Sequence, residues 1–237
     1  MRILLLGYGK MGQLIDQLAT EQGHEIVAKI NIDNRDKLET LITSHIDVAI
    51  DFSQPSAAME NIKWCIDNKI PVAVGTTGWL EHKSEVDAYC IEKNGTYLYA
   101  SNFSIGVNIF FKVNERLAQL MNGQEYEVTT KEVHHTQKLD APSGTSITLA
   151  EGIIKNLDSK DSWVNNDSDK PSELSIISER VDPAPGTHII NYNSEVDTIE
   201  IKHTAHSREG FAKGAIAVAH WLKDQNGVKS MDDFLNI

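Results

Sequence analysis

Apolar residues near the start of the chain come in short continuous runs separated by longer amphipathic ones. Arg2 to Leu6 is an apolar run of strand length, Gly7 to Gly12 a tight turn, and Gln13 to Glu21 a helix placing Leu14, Ile15 and Leu18 on one face before Gly23 ends it. Glu25 to Ile30 predicts a second strand, followed by a charged helical stretch to Ser44 and the apolar strand Asp47 to Phe52. Helix Ser56 to Asn68, strand Pro71 to Val74, loop Gly75 to Gly78, helix Glu81 to Lys93 and strand Thr96 to Ala100 continue the alternation. Strands alternating with helices require crossover connections, so the pattern predicts a doubly wound parallel sheet, an α/β fold.

Beyond Asn102 the rhythm changes. A long helix from Gly106 to Leu120 leads into Tyr126 to Val133, whose alternation predicts a strand with one face on a core. A helix from Ser146 to Asn156 follows. Residues 158–171 are polar apart from Trp163-Val164 and are expected to form a mobile surface excursion. Leu174 to Arg180, His188 to Tyr192 and Asp197 to His203 predict further strands, and the Ala- and Gly-rich helix Phe211 to Leu222 is expected to return to the first domain. The expected organisation is a dinucleotide-binding domain over 1–105, completed by 213–237, and an α+β domain with a mixed sheet over 106–212, for substrate binding and oligomerisation.

Length and composition agree with two modest globular domains: 237 residues, 41% hydrophobic and 24% charged, leave no reason to invoke disorder. The 34 acidic and 22 basic side chains give a net charge of −12, which argues against nucleic acid as the main partner. The same field repels an anionic ligand, so such a ligand needs helix N-termini and clustered cations close by. Only Cys65 and Cys90 occur, without CxxC spacing, so neither a disulfide framework nor a cysteine zinc site is indicated and a reducing cytoplasm is expected. The opening apolar run is too short for a signal peptide or a membrane span.

Gly7-Tyr8-Gly9-Lys10-Met11-Gly12 is G-x-G-x-x-G between a predicted strand and a predicted helix, the context in which the motif means dinucleotide binding. Gly7 allows the turn, Gly9 the approach of a pyrophosphate, and Gly12 the packing of helix on strand. The ribose-binding position, about 20 residues further on, falls on Asn31 or Asp33. Asn31 repels a 2′-phosphate less than a carboxylate would, and Arg35 is near enough to pair with one, so NADPH is permitted while Asp33 leaves NADH open. The segment Asp33 to Asp36 also reads as a solvated helix start.

The densest chemistry lies in Glu132-Val133-His134-His135-Thr136-Gln137-Lys138-Leu139-Asp140-Ala141-Pro142-Ser143-Gly144-Thr145. Ser143-Gly144-Thr145 precedes the predicted helix, so its backbone N–H groups can bind a carboxylate, with Pro142 helping to fix the loop. An imidazole, with its unperturbed pKa of about 6.5, suits proton donation near neutral pH. Lys138 is cationic at rest and serves equally to stabilise negative charge or to donate a proton. Adjacent strand residues point opposite ways, so the two histidines are not expected to share one face unless the strand breaks. His203 and His206 resemble an i, i+3 metal pair, but they lack a carboxylate or thiol cluster and no metal site is expected. Arg208 is compatible with substrate, cofactor phosphate or an acidic group at the domain hinge, the last being favoured.

Gly7 to Gly12, Asp51-Phe52-Ser53, Gly75 to Gly78, Ser101 to Asn108, His134 to Thr145 and His203 to Gly214 together resemble the 4-hydroxy-tetrahydrodipicolinate reductase (dihydrodipicolinate reductase) family nearly end to end. The His-His-x-x-Lys-x-Asp-Ala-Pro-Ser-Gly-Thr block is specific to that family, whereas the glycine turn is shared by many dehydrogenases. The resemblance implies a Rossmann domain interrupted by a substrate domain whose sheet makes a homotetramer contact. It also implies NADPH- or NADH-dependent reduction of a cyclic dicarboxylate in diaminopimelate and lysine biosynthesis, with hydride to ring C4 and loss of water.

By the same resemblance His134 and Lys138 are the proton donors and His135, Gly144 and Thr145 hold the substrate, with Ser143 added to that set by its place at the helix start. Gly7, Tyr8, Gly9, Lys10, Met11, Gly12, Asn31, Gly75, Thr76, Thr77, Ser101, Asn102 and Phe103 line the cofactor. Two departures stand out: Asn31 replaces the acidic residue of many members, and 180–188 is richer in proline than that family's loop. The competing readings are another dehydrogenase of a small dicarboxylate, a cysteine-dependent dehydrogenase, and a non-catalytic nicotinamide sensor.

Overall fold

The computed structural model describes residues 1–237, which divide into two compact units, 1–105 with 209–237 and 106–208. The first unit opens with β1 (Arg2–Leu6), α1 (Lys10–Glu21), β2 (Glu25–Ile30), β3 (Val48–Asp51), α2 (Pro55–Asp67), β4 (Val72–Val74), α3 (Lys83–Glu92) and β5 (Thr96–Tyr99). β1 explains why its sequence is continuously apolar. Ile3 and Leu5 enter one core with Ile15 and Leu18 of α1, while Leu4 and Leu6 enter another with Ile62 and Ile66 of α2. A strand covered on both faces has no polar side to present, and each such leucine stabilises the fold by about 1.5–3 kcal/mol.

The stretch up to Ser44, expected to be helical, forms 3-10 turns instead, Ile32–Thr40 and Thr43–His45, with a kink at Asn34. Leu38 is the single buried residue of the longer turn, so there is no apolar stripe to hold an α-helix against the sheet.

The second unit contains α4 (Ile105–Met121) from Gly106 on, then β6 (Glu127–His134), α5 (Gly144–Ile154), β7 (Ser162–Val164), β8 (Glu173–Arg180), β9 (Gly186–Asn193) and β10 (Thr198–Ala205). Its mixed sheet runs β10-β9-β6-β8-β7, with β6 antiparallel to β9 and parallel to β8. Val128 of β6, Ile176 of β8 and Ile190 and Tyr192 of β9 meet Phe110, Leu149 and Ile153 from the helices in one core. The register sets Glu132 of β6 opposite His188 on one side and Ser178 on the other, and His134 opposite Arg180. Cross-strand partners share a face, so all five side chains point toward the α5 side.

Residues 158–171 are more than a surface excursion. Trp163 of edge strand β7 packs on the core, and the buried Lys160 ammonium donates to Glu127 at 2.7 Å and to the carbonyl of Glu173 at 3.1 Å.

The chain then returns to the first unit at Glu209, rather than at 213, because α6 (Glu209–Leu222) starts there. Two elements invisible to periodicity follow, β11 (Gly227–Lys229) and α7 (Met231–Leu235). Three residues are too few to alternate, and the only local signal for α7 is the Ser230/Asp233 capping box. β11 joins β5 and completes a parallel sheet of order β2-β1-β3-β4-β5-β11. β1 lies between β2 and β3, so the strand order reverses at its carboxyl end, which is where open α/β sheets bind ligands.

α6 packs against α1 and against strands β3 to β5, and a Cβ on its Gly214 would lie 1.9 Å from the carbonyl oxygen of Phe103. Alanine is the better helix former by about 1 kcal/mol. Gly214→Ala is nevertheless expected to destabilise the protein by about 1–3 kcal/mol, because a backbone carbonyl must move. Urea denaturation showing equal or greater stability would contradict this packing.

Candidate active site

The switch point of the first unit carries two adjoining hollows that share Gly9, Phe52 and Ser53. One, of about 310 Å³, reaches Asn31, Arg35 and Asn61; the other, of about 440 Å³, reaches Lys10, Met11 and Gly75 to Thr77. Each motif glycine has its own reason. Gly7 has φ +91°, and a Cβ there would lie 2.1 Å from the carbonyl oxygen of Phe52. A Cβ on Gly12 would lie 2.2 Å from the carbonyl oxygen of Gly7. Gly9 has open space around it and caps α1 without a side-chain hydrogen bond, leaving the helix start to a ligand. The turn and its hollows therefore fit a dinucleotide.

A buried carboxylate organises these loops. Asp51, at the end of β3, accepts from the Thr76 hydroxyl, from Asn61 Nδ2 at 2.7 Å, and from Ser53 through its amide at 3.1 Å and its hydroxyl at 2.8 Å. Burial raises its pKa despite these donors. Asn61 in turn accepts from Arg35, which also lies 3.2 Å from Glu60. Thr76 is thus a scaffold residue, its hydroxyl turned inward. A Cβ on Gly75 would lie 2.3 Å from the Phe52 ring, which would have to shift.

The remaining predicted cofactor residues fall around this frame. Tyr8 and Asn31 line the smaller hollow. Tyr8 also donates to Asp16 at 2.5 Å, and Asn31 caps the 3-10 turn by accepting from the Asp33 amide at 2.9 Å. Phe103 is buried with its ring 5.7 Å from that of Phe52, Asn102 accepts from the Ser104 amide at 2.9 Å, and Ser101 is exposed. None of these three lines either hollow.

In the second unit the structure centres on a residue that the sequence did not single out. Glu132 has no exposed surface and accepts from the Ser143 amide at 3.1 and 3.2 Å, Ser146 Oγ at 2.8 Å, Ser178 Oγ at 2.8 Å and Arg180 Nη2 at 3.2 Å. Burial alone would raise its pKa, but His134, Ser143, Ser146 and Ser178 outweigh that and hold the carboxyl well below the usual range. His134 Nδ1 lies 3.3 Å from Oε2 of Glu132, off the line of a hydrogen bond and with no other partner. His188, also unanticipated, sits edge-on to His134 with ring centroids 5.2 Å apart. Burial, then the charge of His134, pushes the His188 pKa down to about 3.

The other predicted residues surround this group. His134 is the last residue of β6 and faces inward, whereas His135 is half-buried beyond the strand with Nε2 3.4 Å from Arg208 Nη2. Arg208 is the last residue of the second unit. Lys138 donates to both oxygens of Asp140 at 2.9 Å, and Arg180 holds that loop through the carbonyls of Lys138 at 3.4 Å and Asp140 at 2.6 Å. Ser143 is buried and acts as the N-cap of α5: its Oγ accepts from the Ser146 amide at 3.2 Å while its own amide serves Glu132. At the helix start Gly144 is exposed and Thr145 follows it, half-buried. The proline-rich 180–188 loop is anchored by Asp182, which accepts from Thr136 Oγ1 at 2.6 Å and the Thr136 amide at 3.1 Å.

Ligand atoms of Glu132, His134 and His188 lie within 4.8 Å of one another, close enough to suggest a metal. The donor set does not fit one. Both carboxylate oxygens already receive hydrogen bonds, and a guanidinium 3.2 Å away opposes a dication. His203 lies against Phe110 at 5.9 Å between ring centroids, and His206 is exposed beyond the strand.

The family models described as dihydrodipicolinate reductase, N-terminus and C-terminus, match residues 1–103 and 106–235. A 4-hydroxy-tetrahydrodipicolinate reductase of Christiangramia forsetii is 46% identical over 239 positions, covering 100% of this chain and 98% of that protein. One from Methanococcoides burtonii is 36% identical over 87% of this chain and 80% of its own length. Among solved structures, a dipicolinate-bound dihydrodipicolinate reductase from Paenisporosarcina sp. TG-14 superposes with a TM-score of 0.79 at 23% identity over 97% of each chain, which speaks to the fold.

A carboxyl with a depressed folded-state pKa contributes stability above its unfolded pKa and loses it as pH falls. For Glu132 that loss begins near the ordinary value of 4.5 and continues downward. At neutral pH, Glu132→Gln is expected to cost about 3 kcal/mol. Denaturation measured across pH should show the gap between wild type and variant narrowing below about pH 4.5; a gap independent of pH would mean that charge is not the stabilising element.

Proposed function

The chain belongs to the dihydrodipicolinate reductase family, and on that premise we propose that it reduces 4-hydroxy-tetrahydrodipicolinate to tetrahydrodipicolinate in diaminopimelate and lysine biosynthesis. The observation that carries the reading is the pairing of a buried imidazole at His134 with an exposed helix start at Gly144 on one side of the second unit's sheet. Together they suit a substrate that must be held by its carboxylates and given a proton. Gly144 and Thr145 bind one carboxylate through the start of α5, and His135 with Arg208 supplies positive charge for the other. His134 donates the proton. Lys138, released from Asp140, stabilises the charge that builds up as the ring is reduced or provides the second proton. Water leaves from the hydroxylated carbon.

Bound at the glycine turn, a reduced nicotinamide supplies the hydride for ring C4. Gly7, Gly9 and Gly12 shape the turn for its pyrophosphate, Tyr8, Lys10 and Met11 flank it, and Gly75 to Thr77 with Ser101 to Phe103 border the nicotinamide. Asn31 and Arg35 line the hollow suited to the adenosine, while Asp33 does not. With no carboxylate there to repel a 2′-phosphate, the enzyme uses NADPH as well as NADH. The enzyme works in the cytoplasm, where its two buried thiols remain reduced. The outer face of the second unit's sheet carries half-exposed Val133, Ile177 and Ile189, the surface for assembly into a homotetramer.

A cysteine-dependent dehydrogenase is disfavoured, since Cys65 is fully buried and burial, then the nearby Asp51 charge, pushes its thiol well up. The decisive assay follows NADPH and NADH oxidation with the freshly made condensation product of pyruvate and aspartate semialdehyde, beside a control lacking it. Turnover is expected with either cofactor; cofactor binding without turnover would indicate a nicotinamide sensor.

His134→Gln and Lys138→Ala are each expected to lower kcat by about 10²–10⁴-fold while the cofactor Kd stays within about twofold. A Kd that collapses with turnover would count against these roles. Arg35→Ala is expected to raise the KM for NADPH about tenfold, the loss of one charge-assisted contact, with the KM for NADH little changed. Equal effects on both cofactors would place Arg35 in loop support instead.

A further inference from the structure

The proposed proton donor is bracketed on both of its nitrogens. On one side, Nδ1 of His134 lies 3.3 Å from Oε2 of Glu132, short of hydrogen-bond alignment but with no other partner. On the other, a Cβ on Gly186 would lie 3.0 Å from Nε2 and 3.3 Å from Cδ2, so the missing side chain keeps Nε2 uncovered. We propose that Glu132 is the positioning residue of this site, holding the Nδ1 proton of His134 so that Nε2, across from Gly186, is the atom that delivers a proton to substrate. The inference rests on the reading of His134 as the acid.

Proton bookkeeping around Glu132 supports it. An ionised carboxylate only accepts, so the single proton of Ser146 Oγ goes to Oε2 of Glu132 at 2.8 Å. Ser146 Oγ lies 3.1 Å from His188 Nδ1, which must therefore be the donor in that contact. The Ser143 hydroxyl donates to Ser146 Oγ as well, at 3.2 Å. On the Oε2 side the protons of Ser146 Oγ and the Ser143 amide thus point toward the carboxylate, while on the Oε1 side the Ser178 hydroxyl is shared with Asn165 Oδ1, each at 2.8 Å, and His134 Nδ1 is a buried nitrogen beside Oε2 without another partner. Leaving that nitrogen bare next to the carboxylate would set a lone pair against a negative charge in a buried site.

In the step itself the Nε2–H bond of the imidazolium breaks, its electron pair stays on Nε2, and the proton forms a bond to the reduced substrate. The product is a neutral imidazole protonated on Nδ1, which regains its second proton from water. The charges that face the ring come from every packed element. Arg180 of β8 and Lys138 of the following loop are positive, Lys138 being offset by Asp140, and His188 of β9 is neutral, with His203 of β10 behind it. Glu132 is the negative group lying against the ring.

The test uses full-length enzyme. Two-bond ¹H–¹⁵N spectra of the neutral His134 ring, assigned with H134Q, are expected to show the Nδ1-protonated tautomer; the Nε2-protonated form overturns the proposal. In E132Q, kcat is expected to fall at least about tenfold, with the cofactor KM within about twofold. The high-pH limb of kcat should move down by about one unit or more, because an adjacent negative charge favours the protonated acid. E132D should restore the limb in part. A folded E132Q whose limb does not move also overturns the proposal, and where E132Q fails to fold the wild-type tautomer decides. Gly186→Ala should lower kcat and leave the limb in place; unchanged kcat would remove Gly186 from the argument and overturn the assignment of Nε2. If H134Q itself turns over normally, the functional reading has failed rather than this inference.

Discussion

A carboxylate with no exposed surface lies at the heart of the second unit, and much of its surroundings follow from the need to keep it charged. An ionised side chain in that setting costs several kcal/mol unless geometry and hydrogen bonds compensate. Glu132 meets the requirement by drawing donors from separate parts of the chain: the amide of Ser143, the hydroxyls of Ser146 and Ser178, and the guanidinium of Arg180. Each donor brings its own segment. Ser143 and Ser146 fix the start of α5 against β6, Ser178 and Arg180 fix the end of β8, and Arg180 extends the grip to the loop that carries Lys138. The order of the block from His134 to Thr145 is therefore a consequence of one buried charge.

The first unit uses a related device without a salt bridge. Asp51 gathers Ser53, Asn61 and Thr76, which come from the loop after β3, from α2 and from the loop after β4. Its contacts are neutral donors, and burial prevails, so its pKa moves up, whereas that of Glu132 moves down. The difference is one of ligand chemistry around the carboxylate: a threonine, an asparagine and a serine at Asp51, an imidazole beside three serines at Glu132. In both units a carboxylate turned inward fixes loops whose outward groups are suited to anions.

What the chain betrays in advance depends on how local the cause is. The parallel sheet was legible because strands buried on both faces must be apolar throughout, as Leu4 and Leu6 show against Ile3 and Leu5. The glycine turn was legible because three glycines at fixed spacing each answer a steric demand. The role of Glu132 was not, since its donors lie 11 to 48 residues away and only the register of β6 with β8 and β9 brings them together. The alternation that puts Glu132 and His134 on one face was present, but nothing local reveals what that face meets. Ser143 misled for the same reason: a serine before a helix signals free amides, and the structure gives its own amide to Glu132. The 3-10 turns at 32–45, edge strand β7, and β11 with α7 lack the length or the apolar stripe that periodicity detects.

The net charge of −12 raises the question of how the anionic substrate and cofactor of the proposed reaction would be drawn to such a protein. Screening supplies part of the answer, since charges beyond about 8 Å count for little at physiological salt. The rest lies in the contrast between two ion pairs of the second unit. Glu132 and Arg180 are held at 3.2 Å with the carboxylate wholly buried, so their pairing cannot be exchanged without leaving a charge stranded. Lys138 and Asp140 also pair, at 2.9 Å, but the Asp140 side chain is 60% exposed, and a pair of that kind contributes little. On the function proposed above, a dicarboxylate takes the ammonium from Asp140 at small cost while the buried pair stays put. One pair maintains geometry and the other is exchangeable, which lets a site built around a negative charge present positive charge to its ligand.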